Sequence, residues 1–344
     1  MGYRVAINGF GRIGRNFLRA AIASGSDLEI VAINDLASPA MNAHLLSRDS
    51  THGRFVEPVT IDGGDMLVGE RRIKVVAERD PKSLPWGELG VDCVIESTGL
   101  FTDAAKAVAH RDAGAKKVII SAPGTSVDGT FVIGVNDNLY DPASHHIISN
   151  ASCTTNCFAP MVKVVSEAFG IERGLMTTVH AYTNDQNLLD LPHKDLRRAR
   201  AAAVNIVPAS TGAARATSLV LPEMRGRLDG VAMRVPVVDG SITDINVVVP
   251  AEVTSSDVNA AFRMASESGP LSKVLVYSEE PLVSSDIVGS PASCTFDSLL
   301  TMAMDLGNGS TLVKGFGWYD NEWGYSNRLL DLAVLVGREF GAQS

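Results

Sequence analysis

A G-x-G-x-x-G sequence near the start of the chain constrains its fold more than any other feature. Its glycines are Gly9, Gly11 and Gly14; they follow YRVAIN, which predicts a strand, and lead into GRNFLRAAIAS, which predicts a helix. Glycine lets backbone N–H groups approach a pyrophosphate at a helix N-terminus, where the helix dipole favours negative charge. The spacing alone is a weak signal, but the strand–turn–helix context predicts a dinucleotide site. The alternative is a tight turn that binds no ligand.

An acidic residue ends the second predicted strand. The segment LEIVAIND predicts that strand, and its Asp35 lies 21 residues after Gly14. This is close to the spacing at which a carboxylate accepts hydrogen bonds from a ribose hydroxyl. Because a carboxylate there repels a 2′-phosphate, the sequence predicts NAD rather than NADP as the cofactor.

The first half of the chain alternates strand and helix patterns. Further strands are predicted in VDCVIEST (91–98), KKVIIS, TFVIGV and HHIIS, and a helix in TDAAKAVAHRDAG, with Thr102 as its N-cap and Gly114 as its stop. Strand–helix–strand repetition predicts right-handed crossovers and a doubly wound, mainly parallel sheet of the Rossmann type.

The pattern changes after about residue 151. The segments LMTTVHAYT, GVAMRVPV and SITDINVVVPAEV alternate apolar and polar residues, which predicts an antiparallel sheet with one covered face. SSDVNAAFRMASES predicts a helix capped by Ser or Asp, and the tail NEWGYSNRLLDLAVLVGREFG a long helix with a Gly stop. We expect an α/β protein with a Rossmann domain over 1–151, completed by a C-terminal helix at about 318–344. An α+β catalytic domain with a mostly antiparallel sheet is expected over 152–317.

Composition excludes several classes of function. The chain has 344 residues, a length typical of about two domains, and is 45% apolar and 20% charged. Its net charge of −9 does not favour non-specific binding to nucleic acid or to an anionic membrane. No stretch approaches the roughly 20 apolar residues that span a bilayer. Four cysteines do not form a disulfide framework, and no signal-peptide pattern precedes the first strand, so we expect a cytoplasmic protein.

Two of the four cysteines lie in SNASCTTNC. A structural zinc site needs about four Cys or His ligands, and no second close pair accompanies Cys153 and Cys157, so we expect no metal. In a helix these two residues would share a face, but a reducing compartment argues against a standing disulfide. The remaining interpretation is a nucleophile, Cys153, with Cys157 packed one turn deeper.

The position of Cys153 favours the nucleophile. It follows a predicted strand and begins a predicted helix, where the dipole and free N–H groups lower the pKa of a thiol. The alternative is an inert buried thiol. A nucleophilic cysteine needs a base, and His180 in TTVHAYTND is one of seven candidate histidines; spacing does not distinguish it from a structural histidine.

Six motifs together resemble the phosphorylating glyceraldehyde-3-phosphate dehydrogenases: NGFGRIGR, NASCTTNC, VHAYTNDQ, HKDLRRARAAA, PASTGAA and WYDNEWGYSNR. The resemblance runs essentially end to end. It implies that Cys153 attacks the aldehyde of glyceraldehyde 3-phosphate to give a thiohemiacetal and that His180 is the base. It further implies that inorganic phosphate cleaves the resulting thioester to 1,3-bisphosphoglycerate, in glycolysis and gluconeogenesis.

The resemblance also implies the ligands of the two phosphates and of NAD. The residues at the phosphate-binding positions are Ser152, Cys153, Thr154, Thr183, Arg198, Thr211, Gly212 and Arg234. For the KDLRRAR segment the alternative is a solvated basic face. The cofactor-binding positions, beyond the three glycines, are Arg12, Ile13, Asp35, Arg79, Ser121 and Asn321. Leu191-Pro192 resembles the NAD-preferring members, and the family's homotetramer places an S-shaped loop, here about 181–205, at a subunit contact.

Some segments depart from the commonest pattern of the family. VPVVDGSITD (235–244) replaces the frequent VPTPNVSVVD, and PASTG has Ala209 where Thr is usual. These differences leave open an inhibitor-resistant paralogue with the same activity. Another alternative is an erythrose-4-phosphate dehydrogenase of the same fold. A third is a non-catalytic nucleic-acid binder, against which the Cys153/His180 pair and the acidic charge argue.

Overall fold

The structure, a computed structural model, describes residues 2–341, and within it the chain divides into two units. The first contains the N-terminal part up to Phe131, the segment Leu139–Ala151 and the part that begins at Ser326. The second contains Val132–Asn138 and Ser152–Tyr325. The two are described separately below.

The first unit is built around one sheet. Its strands are β1 (Arg4–Asn8), β2 (Glu29–Asn34), β3 (Arg48–Asp49), β4 (Gly53–Arg54), β5 (Val59–Asp62), β6 (Asp65–Val68), β7 (Arg71–Val76), β8 (Cys93–Glu96), β9 (Lys117–Ile120), β10 (Gly129–Thr130) and β11 (Ile147–Ser149). Its helices are α1 (Arg12–Ala23), α2 (Pro39–Ser47) and α3 (Ala104–Asp112). Nine of these strands form the sheet, in the order β10-β11-β9-β8-β1-β2-β7-β6-β5, parallel from β10 to β7 and antiparallel from β7 to β5. The other two, β3 and β4, form a separate antiparallel pair.

The central strands of this sheet are buried on both faces, and most of their residues are apolar. Every residue of β8 and β9 is buried, as expected for parallel strands covered by helices on two sides. Trp86 lies at the centre of an apolar cluster that includes Ala6, Val31 and Val94. The predicted parallel sheet is therefore confirmed.

Two local predictions in this unit are wrong. Asp103, not Thr102, caps α3, because its carboxylate accepts from the backbone N–H of Ala105. TFVIGV does not form a strand beyond Thr130: Phe131 and Val132 are buried in an irregular segment, and a turn begins at Ile133. Apolar periodicity does not distinguish such a segment from a short strand.

The second unit is also built around one sheet. Its strands are β12 (Arg173–Ala181), β13 (Val207–Ser210), β14 (Leu228–Val235), β15 (Ser241–Val249), β16 (Leu275–Ser278), β17 (Cys294–Asp297), β18 (Met302–Asp305) and β19 (Thr311–Tyr319). Its helices are α4 (Cys153–Phe169), α5 (Ala213–Val220), α6 (Ser255–Glu267) and α7 (Ser284–Ile287). The strand order is β13-β14-β12-β15-β19-β17-β16, and β18 also pairs with β19.

This second sheet is mostly antiparallel, but not wholly. Long strands such as β15 and β19 alternate buried and half-buried residues, so one face is covered, as predicted. The pairs β12/β14 and β16/β17 are parallel, which the sequence pattern did not predict. In the β12/β14 register His180 lies opposite Arg234, so the parallel pairing brings two predicted site residues together.

Helix caps in the C-terminal half differ in detail from the sequence prediction. Thr254 caps α6 and forms a capping box with Asp257, so the cap lies one residue before the predicted Ser. The last helix, α8 (Trp323–Gly337), ends at Gly337 and is followed by a 3-10 turn, Arg338–Phe340. Gly341 then adopts a φ of 88°, the left-handed conformation in which glycine is favoured. Among residues 2–341, no helix is both long and apolar enough to cross a membrane.

Candidate active site

The N-terminus of α4 presents Cys153. Ala151 precedes it in a left-handed conformation, φ 56°, which is rare for a residue with a Cβ. Ser152 is the N-cap, and its hydroxyl accepts from the backbone N–H of Thr155 at 3.0 Å. Cys153 is therefore the first residue of the helix, half-buried, while Cys157 one turn later is fully buried. All four cysteines of the chain carry free thiols.

His180 faces Cys153 from β12. Its Nε2 lies 3.4 Å from the Cys153 Sγ, and its Nδ1 lies 2.6 Å from the carbonyl oxygen of Ala181. A carbonyl oxygen only accepts, so the proton of the neutral ring is on Nδ1 and the lone pair of Nε2 faces the thiol. This is the tautomer in which the imidazole can accept a proton from Sγ.

Arg234 restrains the same imidazole from the neighbouring strand. Its Nη1 donates to the carbonyl of Ala181 and to the hydroxyl of Thr183, at 3.1 and 2.9 Å. Its 3.1 Å contact with His180 Nδ1 is between two donors that share the Ala181 carbonyl. Burial, followed by the charge of Arg234, lowers the pKa of His180 to about 3. The ring is consequently neutral at physiological pH, as a general base must be.

The pKa of the Cys153 thiol is raised, so the prediction that the helix N-terminus lowers it is wrong. Burial is the dominant cause, and Arg234 together with the hydroxyl and N–H of Thr154 acts in the opposite direction. The thiol and the imidazole are thus both neutral at physiological pH. Forming the thiolate requires proton transfer to His180, which the 3.4 Å contact permits.

Tyr319, which sequence reasoning did not single out, connects the helix to the strand. Its hydroxyl lies 2.8 Å from the hydroxyls of both Thr154 in α4 and Thr178 in β12, and its ring meets His180 edge-on at 5.9 Å between centroids. The contact fixes the spacing between the elements that carry Cys153 and His180. Its position in the WYDNEWGYSNR motif was the available signal.

Arg198, which is predicted to bind phosphate, and Arg200 of the same segment, which is not, differ in their environment. Arg198 pairs with Asp185 at 3.0 Å and donates to the carbonyl of Ser210, whereas Arg200 pairs with Asp190 at an exposed position. Thr183 also donates to Asp185, so Arg234, Thr183, Asp185 and Arg198 form a continuous chain of contacts. Asp185 was not predicted; its carboxylate forms the ion pair with Arg198.

The remaining predicted phosphate ligands lie at two helix N-termini. Thr211 and Gly212 precede α5, where Gly212 is the N-cap and offers no side chain to its free N–H groups. Ser152 and Thr154 lie at the start of α4. Helix N-termini attract anions, but the contacts described for residues 2–341 do not join Thr211 or Gly212 to Cys153.

The glycine loop of the first unit has the geometry of a dinucleotide cradle. A Cβ on Gly9, whose φ is 92°, would approach the Thr98 nitrogen to 2.7 Å, and one on Gly14 would approach the Gly9 oxygen to 2.2 Å. A Cβ on Gly11 would meet nothing within 4 Å, so this glycine leaves open space at the N-terminus of α1. A pyrophosphate site requires a tight turn, close packing of the helix on the strand, and backbone that the pyrophosphate can approach. The three glycines meet these requirements.

The other cofactor residues of the first unit surround that loop. Asp35 is half-buried and its carboxylate accepts from the N–H groups of Phe10 and Ala37, both at 2.8 Å. Arg12 forms an ion pair with Asp49. Burial opposes ionisation of Asp49, but this arginine and the N–H groups of the following turn hold its pKa well below its usual range. Ile13 and Ser121 are half-buried and Arg79 is exposed.

Asn321, the cofactor residue predicted in the second unit, lies beside two buried aspartates. Its Oδ1 accepts from the hydroxyl of Ser241 at 2.7 Å. Asp320 accepts hydrogen bonds from three backbone N–H groups, those of Gly289, Glu322 and Trp323. Burial and the neighbouring Asp320 raise the pKa of Asp239 well above its usual range. The frequent family pattern has asparagine at the position of Asp239. A protonated Asp239 is neutral, as the asparagine side chain would be.

Comparisons with known proteins cover nearly the whole chain. The family model described as "Glyceraldehyde 3-phosphate dehydrogenase, NAD binding domain" matches residues 3–104, and the one described as "Glyceraldehyde 3-phosphate dehydrogenase, C-terminal domain" matches 152–321. The chain is 60% identical over 339 residues to a glyceraldehyde-3-phosphate dehydrogenase of Streptomyces coelicolor, covering 98% of this chain and 100% of the relative. It is 56% identical over 336 residues to that of Geobacillus stearothermophilus, covering 98% of each.

Proposed function

The chain belongs to the glyceraldehyde-3-phosphate dehydrogenase family, and from this we propose the part that each of its residues takes in the reaction. It is an NAD-dependent oxidoreductase with the glycolytic function of that family, acting on glyceraldehyde 3-phosphate. The observation that carries the residue assignment is the 3.4 Å contact between the Cys153 Sγ and the unprotonated Nε2 of His180.

Cys153 is proposed as the nucleophile and His180 as the base. The thiol proton moves to His180 Nε2 as sulfur bonds to the aldehyde carbon, and the alkoxide then takes that proton to give a thiohemiacetal. NAD, when bound, supplies the acceptor for the hydride that leaves this carbon. His180 removes the hydroxyl proton in the same step, which leaves a thioester on Cys153.

Inorganic phosphate is proposed to complete the reaction. A phosphate oxygen attacks the thioester carbon, and the carbon–sulfur bond breaks with the Cys153 thiolate as the leaving group. The thiolate takes back the proton held by His180, and the product is 1,3-bisphosphoglycerate. The proposed ligands of the two phosphate groups are the seven residues other than Cys153 named above, led by Arg234, Thr183 and Arg198. Their contacts support this role because guanidinium forks and hydroxyls suit phosphate oxygens. In this proposal an incoming phosphate displaces Asp185 from Arg198.

The cofactor is proposed to lie on the glycine loop. Gly9, Gly11 and Gly14 with Arg12 and Ile13 receive the pyrophosphate, Asp35 accepts from the adenosine ribose, and Arg79, Ser121 and Asn321 complete the site. The open space at Gly11 and the orientation of Asp35 towards the Phe10 N–H support this arrangement.

The domain organisation and assembly are proposed on the same family basis. Residues 1–151 with about 318–344 form the NAD-binding domain and 152–317 the catalytic domain. We infer a cytoplasmic homotetramer with no membrane or nucleic-acid partner as its main role. Exposed leucines support a subunit contact at residues 181–205: Leu188, Leu189, Leu191 and Leu196 are 78, 74, 60 and 84% exposed.

The test is to follow NADH absorbance with glyceraldehyde 3-phosphate and NAD, with and without phosphate, and again after stoichiometric alkylation. We expect NADH production that depends on phosphate and disappears as Cys153 is labelled. An equal rate of NADH production with and without phosphate would exclude the phosphorylating reaction. Turnover that ignores alkylation would exclude Cys153 as the nucleophile.

A further inference from the structure

A row of buried polar side chains crosses the first unit at the carboxyl ends of three strands. Glu96, Asn8 and Asn34 are the last residues of β8, β1 and β2, and they are 1, 1 and 5% exposed. His110 of α3 and Trp86 extend the row and are both fully buried. None of these five residues has a part in the mechanism proposed above. A buried carboxylate is costly unless it is fully hydrogen-bonded, so its partners require a reason.

The hydrogen bonds determine which nitrogen of His110 carries the proton. The indole N–H of Trp86 lies 3.1 Å from His110 Nδ1, and an indole N–H only donates. Nδ1 is therefore the acceptor and Nε2 carries the proton. That proton points to Glu96 Oε2, 3.0 Å away. The 3.4 Å contact between Asn8 Nδ2 and His110 Nε2 is then between two donors directed at the same oxygen.

Glu96 receives donors on both of its carboxylate oxygens. Oε2 accepts from His110 and from Asn8 Nδ2, the latter at 2.6 Å. Oε1 accepts from the backbone N–H of Thr98 at 2.8 Å and from its hydroxyl. An ionised carboxylate has no proton to donate, so four converging donors match its capacity.

The orientation set at Glu96 continues through two asparagines. Because Asn8 Nδ2 points to Glu96, its Oδ1 faces the opposite way and accepts from Asn34 Nδ2 at 2.6 Å. The backbone of Glu78 then bonds both ends of the Asn34 amide, its N–H donating to Oδ1 at 2.8 Å and its carbonyl accepting from Nδ2 at 2.9 Å. The Glu96 carboxylate thus sets the direction of the Asn8 amide, and the Glu78 backbone holds the Asn34 amide in the matching direction.

Two residues of this row, and the Glu78 that bonds it, each precede a proposed cofactor residue. Asn8 precedes Gly9, Asn34 precedes Asp35, and Glu78 precedes Arg79. Ser97, next to Glu96, donates to the carbonyl of Gly9 at 2.7 Å. The loops that follow β1, β2, β7 and β8 are therefore joined beneath the surface on which the dinucleotide is proposed to bind.

We infer that Glu96, oriented by the neutral His110, is a positioning residue for the adenosine half of NAD: its buried carboxylate orders the four loops before the cofactor arrives. This inference rests on the proposed cofactor site. Loops that are ordered in advance lose less entropy when a ligand binds, so the carboxylate should act on NAD affinity rather than on the chemical step.

The test is Glu96→Gln in the full-length protein, with Glu29→Gln as the matched control. Glutamine keeps the volume, but its NH2 group faces the donors of Asn8 and His110. Glu29 is an exposed glutamate of the same unit, paired with Arg4. For E96Q we expect the Kd of NAD, from calorimetric titration, and the KM of NAD to rise at least tenfold. We expect kcat at saturating NAD to stay within threefold and alkylation of Cys153 without NAD to keep its rate.

The variant Val94→Ala distinguishes a positioning role of Glu96 from a purely structural one. Val94 is fully buried in the same strand but belongs to the apolar core, so its truncation lowers thermal stability without disturbing the polar row. We expect V94A to lower the melting temperature and to keep the Kd of NAD within twofold of wild type. If E96Q and V94A weaken NAD binding to the same degree for the same loss of melting temperature, the positioning role is excluded.

A swap of the paired groups completes the test. Asn8→Asp alone sets two carboxylates against each other, whereas N8D/E96Q restores an amide–carboxylate pair of reversed direction. We expect the double variant to bind NAD several-fold more tightly than N8D. An affinity for E96Q within twofold of E29Q, or a double variant no better than N8D, overturns the inference. Wild-type protein that does not bind NAD overturns the proposed cofactor site instead, so the two failures are distinguishable.

Discussion

At the scale of single residues, the reactivity of Cys153 is a property of its neighbours. Burial raises the pKa of the thiol while it lowers that of His180, so both groups are neutral at physiological pH. The advantage of this pair lies in geometry, since the lone pair of His180 Nε2 already faces the proton that must move. Approach of an electrophilic carbon to sulfur then drives the transfer.

The nucleophile is tested by Cys153→Ser, with Cys157→Ser as control. A serine hydroxyl is a much weaker nucleophile than a thiolate, so we expect kcat to fall by at least about three orders of magnitude while NAD binding persists. Cys157 is buried and donates to the carbonyl of Gly317, a bond that a hydroxyl can also make, so C157S should keep its turnover. Steady-state NADH production measures both; substantial turnover by C153S would contradict the assignment.

Asp35 is tested as the residue that selects between NAD and NADP. Its carboxylate lies half-buried beside the glycine loop, where a 2′-phosphate would meet like charge. We expect Asp35→Ala to raise the KM of NAD. We also expect the ratio of the kcat/KM for NADP to that for NAD to rise by about tenfold, the change that removal of one repulsive contact typically produces. Asp27→Ala, which removes an exposed carboxylate of the same unit, should leave the ratio unchanged. An unshifted ratio in D35A would exclude Asp35 as the discriminator.

At the scale of elements, the candidate site is made where one helix and three strands converge. The helix N-terminus with Cys153 could be predicted because a strand-to-helix transition is local in sequence. That His180 lies beside Arg234 could not, because it depends on the parallel pairing of β12 with β14, two strands separated by the 181–205 loop and α5. Residue alternation predicts strands and faces but carries no information on which strands pair or in which direction.

The same distinction between local and long-range contacts explains why the role of Tyr319 could not be predicted. It ends β19, far along the chain from α4 and β12, and its two hydrogen bonds to Thr154 and Thr178 become visible only once the sheet order is known. The Gly9 to Gly14 loop and Asp35 were predictable for the opposite reason, since all the residues of a βαβ unit are near one another in sequence.

Tyr319→Phe tests whether the helix–strand contact serves catalysis. Removing a buried hydroxyl that bonds two threonines should lower the free energy of unfolding by about 1–3 kcal/mol. Small displacements of reacting groups are costly, so we also expect kcat to fall by about one order of magnitude. Tyr277→Phe, which removes a half-buried hydroxyl elsewhere in the second unit, is the control. Wild-type kcat in Y319F would show that Cys153 and His180 keep their spacing without this contact.

At the scale of the whole molecule, two buried groups should make stability depend on pH in opposite directions. The folded pKa of His180 is about 3, below its unfolded value of about 6.5, so the unfolded chain binds more protons between them. The contribution of His180 to the free energy of unfolding is present above pH 6.5 and is lost as pH falls towards 3. The folded pKa of Asp239 is raised above its unfolded value of about 3.9, so its contribution is full below that pH and is lost as pH rises.

Two variants separate these contributions, and urea unfolding between pH 5 and 8 measures them. Relative to wild type, His180→Asn should gain stability as pH falls below 6.5, whereas Asp239→Asn should gain it as pH rises, each by at most about 1.4 kcal/mol per pH unit. Asparagine at 239 keeps a neutral group beside Asp320, so D239N should fold and turn over substrate. Between pH 4 and 6.5 the two slopes oppose each other in wild type, and above 6.5 only that of Asp239 remains. A D239N curve parallel to that of wild type would mean that Asp239 is ionised when folded, and the buried pair would then need a cation or a donor to hold it.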